Sequence, residues 1–102
     1  MKYQIVLQSS ASSVGDYDAM VSLEDLLIEG LPDGSELDGH DAGSGQVNIF
    51  IHTHSPHQTF EAIKGILENR GALPSVKAAY REKGGSQYTI LWPRNLTKFE
   101  VM

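Results

Sequence analysis

Histidine is the residue type of this chain with the widest chemical reach, and all four histidines fall within residues 38–57. They are His40, His52, His54 and His57. A neutral imidazole binds divalent transition metals through a ring nitrogen, and side chains two residues apart lie on the same side of a β-strand. The pattern therefore makes the four histidines candidate ligands of a divalent transition metal.

A metal site at this spacing needs a ligand from another segment of the chain. Because His52 and His54 are roughly 7 Å apart at the backbone, a third ligand must come from His40 or Asp41 across a hairpin. The plainer interpretation is that His52 is a polar residue on an open sheet face, whereas His54 and His57 are hydrated residues at a strand end and a helix start. The acidic and serine side chains nearby match no demanding catalytic geometry, and a turn needs these residue types anyway. We assign no catalytic residue.

A turn, a strand and a helix must position this block. Glycines and aspartates at 38–45 predict a turn or a β-bulge. Ser55, Pro56 and Gln58 then predict a helix start with a capping box and a proline at the first helical position. In the strand between them, one side carries Val47, Ile49, Ile51 and Thr53, and the other carries Asn48, Phe50, His52 and His54.

Periodicity along the whole chain predicts the fold class. Strands are expected at 2–8, 35–40, 46–53, 76–81 and 86–92, and helices at 16–29 and 56–69. The order βαββαβ plus one extra C-terminal strand is the ferredoxin-like pattern, an α+β two-layer sandwich with both helices on one face of an antiparallel sheet. We expect one domain at 1–93, followed by a C-terminal tail at 94–102.

A short segment also resembles a known group of proteins. Gly43-Ser44-Gly45, with Asn48-Ile49-Phe50-Ile51, is similar to small uncharacterised bacterial proteins of the ferredoxin-like α+β layout. The resemblance is local and implies the fold without any chemistry. The Gly-Ser-Gly segment is followed by a strand, so it lacks the helix that a phosphate-binding loop requires.

Length and composition exclude several classes of protein. A chain of 102 residues can bury one core, and the absence of cysteine excludes disulfides and thiolate chemistry. No apolar run approaches the roughly 20 residues that cross a bilayer, and the N-terminus has no signal-peptide pattern. We therefore expect a cytoplasmic protein with no membrane contact.

Charge is divided unevenly along the chain, whose net charge is -5. Residues 1–41 carry nine acidic side chains against Lys2 alone, whereas residues 42–102 carry seven basic and four acidic ones. The acidic half argues against general nucleic-acid binding. It suits a cationic partner, or solubility alone.

The apolar periodicity also predicts which residues are buried. In the first helix it includes Ile28, beside Leu27, in the inward stripe. The core is predicted to contain Ile5, Leu7, Met20, Leu23, Leu27, Val47, Ile49, Ile51, Phe60, Ile63 and Leu67.

The sheet face away from the helices is the predicted contact surface. Val6 and Phe50 make it too apolar for a purely hydrated face, and His52 lies beside them. One exposed aromatic ring on an acidic protein is not the pattern of an RNA-binding sheet. The rest of this face is predicted to be Gln4, Gln8 and Asn48, with either Lys77, Ala79 and Arg81 or Val76, Ala78 and Tyr80.

Two explanations of this face remain open. In the first, a homodimer or a separate protein partner covers Val6, Phe50 and His52. In the second, the apolar side chains of the tail fold back over the face and leave a monomer; they are Leu96, Phe99 and Val101.

We favour a non-enzymatic protein-binding or regulatory domain of the inhibitor, immunity or adaptor type. The alternative is a small metal-binding protein or enzyme centred on the histidines. The two differ in one simple observable, since only the second predicts a thermal shift on adding divalent metals.

Overall fold

Five strands and two helices follow one another in the order expected from the sequence. The computed structural model describes residues 2–10, 14–43 and 45–101, apart from the side chains of 14–17 and 19. Ser44, within the segment that carries the resemblance, therefore lies outside the described residues. The elements are β1 (Tyr3–Ser10), α1 (Val14–Gly30), β2 (Ser35–Gly43), β3 (Gln46–Thr53), α2 (Pro56–Arg70), a 3-10 turn (Leu73–Ser75), β4 (Lys77–Glu82) and β5 (Thr89–Trp92).

The strands form one antiparallel sheet in the order β2-β3-β1-β4-β5. The N-terminal strand β1 is central: its Val6 pairs with Phe50 of β3 on one side and with Ala79 of β4 on the other. Pairing from Gln8–Lys77 to Gln4–Arg81 puts Lys77, Ala79 and Arg81 on the face of Val6. The prediction of an α+β fold is confirmed.

Both helices pack on the other face of the sheet, where the core lies. One hydrophobic cluster combines side chains of α1 and α2 with Ile5 and Leu7 of β1 and with their neighbours on β3 and β4. Every residue predicted for the core is buried in it. The alternation over 46–53 therefore identified the inward side of β3 correctly.

Ile28 is the exception among the predicted inward side chains. It is 64% exposed, while its neighbour Leu27 is fully buried. Consecutive residues of a helix point about 100° apart, and the stripe through Met20, Leu23 and Leu27 leaves Ile28 outside the contact with the sheet. The inward assignment of Ile28 is wrong.

The start of α2 is built differently from the expected capping box. Pro56 occupies the first turn as predicted, but Ser55 makes no side-chain capping bond within the described residues. Instead, the Ser55 amide donates to Thr53 Oγ1 at 3.0 Å, and Thr53 Oγ1 lies 2.7 Å from Thr59 Oγ1. This buried threonine pair joins the end of β3 to the first turn of α2. Gly71, with φ of 74°, ends the helix as expected.

The two helices approach each other closely at Gly30. A Cβ atom there would lie 2.8 Å from Ile66 Cδ1 of α2, so the Ile66 side chain would have to move to accommodate it. Among the described residues, neither helix has the length and apolar character needed to cross a membrane.

Candidate functional site

His40, His52 and His57 lie on β2, β3 and α2, His54 lies between β3 and α2, and the sheet separates His40 from His52. His40 of β2 pairs with Ile49, a core residue, so it faces the helices. His52 of β3 pairs with Gln4, so it lies on the open face with Val6. His40 and His52 therefore occupy opposite faces of the sheet and cannot share a ligand.

Each of these two histidines contacts a carboxylate. His40 Nδ1 lies 2.9 Å from Glu24 Oε1, and the Glu24 side chain is only 12% exposed. His52 Nε2 lies 3.2 Å from Asp38 Oδ2, at the more open surface. Both pairs fasten the edge strand β2, one to α1 and one to β3. Their chemistry is that of a hydrogen bond that becomes an ion pair when the imidazole gains a proton.

A β-bulge explains why Asp38 reaches His52. Leu37 pairs with Ile51 and Gly39 with Phe50, so Asp38 is the extra residue of the bulge. Gly39 has φ of 133°, which a residue with a side chain rarely adopts. The glycine and aspartate pattern predicted a turn or a bulge here; the bulge lies at 38–39, and the strand continues to Gly43.

The other two histidines lie near the junction of β3 and α2. His57 Nε2 lies 3.3 Å from the Tyr80 hydroxyl, and the two rings meet edge to face at 5.3 Å. His54 is exposed beyond the end of β3. Within the described part of the chain, no group of three or more metal-ligating side chains is brought together. Because His40 and His52 lie on opposite faces, the four candidate histidines do not all meet at one point, and the binding of a divalent metal stays a prediction.

The open face carries three cross-strand rows that run from β2 to β4. The first is polar, and along it Arg81 Nε donates to Gln4 Oε1 at 3.1 Å. The second is apolar. The third is polar and partly buried. In order the rows are Glu36, His52, Gln4 and Arg81; Gly39, Phe50, Val6 and Ala79; and Asp41, Asn48, Gln8 and Lys77.

The predicted contact residues on this face differ in exposure. Val6 has no exposed surface within the single chain, Phe50 is half-buried, and the His52 side chain is 20% exposed. Val6 is therefore inaccessible to a partner in this structure. The contact role of Phe50 and His52, and the homodimer itself, stay predictions.

Residues 94–101, which we call the strap, lie against this face. Gln8 Nε2 donates to the Glu100 backbone carbonyl at 2.7 Å and to Asn48 Oδ1 at 3.0 Å. The ring of Phe99 meets that of Tyr88 at 5.1 Å, in a tilted arrangement. The hydrogen bond from Gln8 agrees with the second explanation from the sequence, a tail that folds back within one chain, and the monomer that it implies stays a prediction.

A second candidate surface, which was not predicted from the sequence, lies on α1. Val21, Leu26 and Ile28 are 40%, 40% and 64% exposed. Between them the same side of the helix exposes three acidic residues, Asp18, Asp25 and Glu29. We call these six residues the α1 outer surface. The available signal was the seven-residue spacing of Val21 and Ile28, which puts both on one side of a helix, away from the core stripe.

A depression of about 360 Å³ adjoins the end of this surface. Ile28 lines it on α1, the following turn contributes Leu31, Pro32 and Asp33, and the start of β2 contributes Glu36. The depression therefore continues both characters of the α1 outer surface, apolar and acidic.

Comparison of the chain with protein-family models, with curated proteins and with solved structures finds no match.

Proposed function

We propose that this chain is a ferredoxin-like, non-enzymatic protein-binding domain that docks a cationic, amphipathic partner on the α1 outer surface. The fold part of the proposal is supported by the element order and by the sheet order, in which β3 and β1 are flanked by β2 and β4. β5 is then an addition at the outer side of β4.

The observation that carries the binding proposal is the exposure of Val21, Leu26 and Ile28 on one helix. Single exposed apolar side chains are ordinary on protein surfaces, but several on the outer half of one helix can serve a partner as contact points. Val21 and Ile28 flank the acidic row on one side and Leu26 flanks it on the other, because residues seven apart nearly coincide around the helix axis. A partner can therefore bury apolar groups while its charges meet the acids.

The charge of the partner follows from what surrounds this surface. No lysine or arginine occurs between Tyr3 and Ile63. Within the described residues, Asp18, Asp25 and Glu29 make no ion pair. An uncompensated row of carboxylates attracts cations and speeds their association. Basic side chains on the partner would supply the missing counter-charges.

The test uses a defined probe, a fluorescein-labelled helical peptide made of lysine and leucine in an amphipathic pattern. Fluorescence anisotropy measures its binding to the full chain and to the double variant Asp25→Asn/Glu29→Gln. Since an exposed ion pair contributes up to about 1 kcal/mol, losing two weakens binding by up to about 30-fold at low salt. The matched control is Glu61→Gln/Glu68→Gln, which removes two exposed charges from α2 and should change binding less than twofold.

The apolar part of the surface has its own variant. Ile28→Ser should weaken binding at high salt as well as at low salt, because apolar contacts are not screened by ions. Equal losses for the α1 and α2 charge variants would mean that the peptide responds only to net charge. That result, or no binding of the peptide at low salt, would refute the proposed docking surface.

A further inference from the structure

The sheet face away from the helices contains residues that are buried without belonging to the helix-side core. Val6 and Ala79 have no exposed surface, yet neither is part of the hydrophobic cluster that α1 and α2 cover. A sheet covered by helices on one face normally exposes its other face to water. Something other than the helices must therefore exclude water from the row that Val6 and Ala79 share.

The strap is the segment in position to do this. After β5 the chain turns, with the Leu96 amide donating to the Pro93 carbonyl at 3.1 Å, and then reaches Gln8 through the Glu100 carbonyl. Gln8 lies next to Val6 on the same strand face, in the adjacent row. Leu96, Phe99 and Val101 supply the apolar side chains of the strap, and all three are half-buried.

The strap differs in kind from what it covers. It contains no helix or strand, its own side chains remain partly in water, and the ion pair of Lys98 with Glu100 at 3.2 Å is internal to the strap. The surface beneath it is dry and preorganised by the hydrogen bonds of a five-stranded sheet. The strap contacts the rest of the chain through the Glu100 carbonyl, which accepts from Gln8, and through the ring of Phe99 against Tyr88, and another extended chain can make contacts of the same kind.

We infer that the face beneath the strap is a binding site for an extended peptide with apolar side chains spaced as in Leu96, Phe99 and Val101, and that the strap occupies it in cis. The Gln8 side chain recognises a backbone carbonyl of the occupant, which any residue type provides. Specificity comes from the apolar row of Phe50, Val6 and Ala79. This site is separate from the α1 outer surface.

Because the strap is tethered to the chain, the strength of its competition with a free peptide can be calculated. A strap joined by a short connection acts at an effective concentration in the millimolar range. A free peptide with an intrinsic Kd of about 10–100 μM must displace it, so the apparent Kd for the wild-type chain should be about 10- to 100-fold weaker. Releasing the strap should remove this penalty.

The experiment measures the binding of a fluorescein-labelled peptide of residues 93–102 to the full chain by anisotropy. We expect weak binding to the wild type and binding at least 10-fold tighter to Phe99→Ser/Val101→Ser, in which the strap is released. A control peptide with serine at positions 96, 99 and 101 should bind neither protein. If circular dichroism shows that the double variant is unfolded, Phe99→Ala replaces it.

Several outcomes would overturn the inference. Equal affinity of the wild type and the released variant would mean that the strap does not occupy the site. Equal binding of the native and serine peptides would remove the apolar recognition, and no binding to either protein would remove the site. A wild-type dimer that the peptide dissociates would show that the occupant comes from a second copy and would overturn occupancy in cis.

Discussion

Ile49→Ala and Ile28→Ala delete the same atoms from two positions with opposite environments. Ile49 is 3% exposed and lies in the core on the helix side of β3, where it pairs with Leu7. Ile28 is 64% exposed on α1. The pair isolates burial as the variable, because the residue removed and the residue introduced are identical.

The expected costs follow from these environments. Truncating a buried isoleucine to alanine costs about 2–5 kcal/mol, and a site held between two paired strands collapses poorly, so we expect about 3–4 kcal/mol for Ile49→Ala. At Ile28 little apolar surface is returned to water, and alanine has a higher helix propensity by a few tenths of a kcal/mol. The free energy of unfolding should change there by less than about 0.5 kcal/mol.

Urea unfolding followed by circular dichroism measures both effects. With a slope of about 1.5 kcal/mol/M, Ile49→Ala should lower the midpoint by about 2 M or more, and Ile28→Ala by less than about 0.4 M, with the slope unchanged. A midpoint that Ile49→Ala does not move would mean that the register of β3 is wrong. A loss at Ile28 equal to that at Ile49 would mean that the orientation of α1 is wrong.

Two further pairs test local features by thermal unfolding. Gly65→Ala should raise stability by about 0.5–1 kcal/mol, because its Cβ would meet nothing within 4 Å in α2, whereas Gly71→Ala, at φ of 74°, should lower it by about 1 kcal/mol. The same sign for both would contradict the assigned end of α2. Thr59→Val should cost about 1–3 kcal/mol, because it removes a buried partner of the Thr53 hydroxyl. A double-mutant cycle with Thr53→Val should give a coupling of at least about 0.5 kcal/mol, and strict additivity would mean that the pair does not interact.

The parts of the fold that follow from local patterns could be predicted from the sequence. Alternation over 46–53 identified the buried side of β3, since a side chain's face depends only on its position along the strand. Pro56 and Gly71 marked the limits of α2 because their backbone preferences are intrinsic. The core residues of both helices followed from the 3.6-residue period.

The relative positions of the histidines could not be predicted in the same way, because they depend on pairing between strands. The bulge at Asp38 and Gly39 sets which face His40 takes relative to His52, and one extra residue reverses the faces of everything beyond it. Sequence spacing alone cannot locate such a shift. The carboxylate partners of both histidines come from this long-range register.

The α1 outer surface was missed for a different reason. Two consecutive apolar residues, Leu27 and Ile28, both fit a broad inward stripe, and only the direction from which the sheet approaches separates them. The position of the strap could not be predicted from the sequence for a similar reason. The apolar residues of the tail predicted contact with a sheet face, but a contact within the chain and a contact with a neighbouring molecule have the same sequence pattern.

The central position of β1 affects how the sheet can assemble. Its first partner along the chain is β3, and its second is β4, so Val6 meets Phe50 from the middle of the chain and Ala79 from its last third. Contacts between residues so distant in sequence raise the contact order, and loop closure must precede the stabilisation that they bring. Although β1 precedes the other strands along the chain, both of its edges are paired only after β4 has joined the sheet, and refolding should be slow compared with that of a helical protein of equal length.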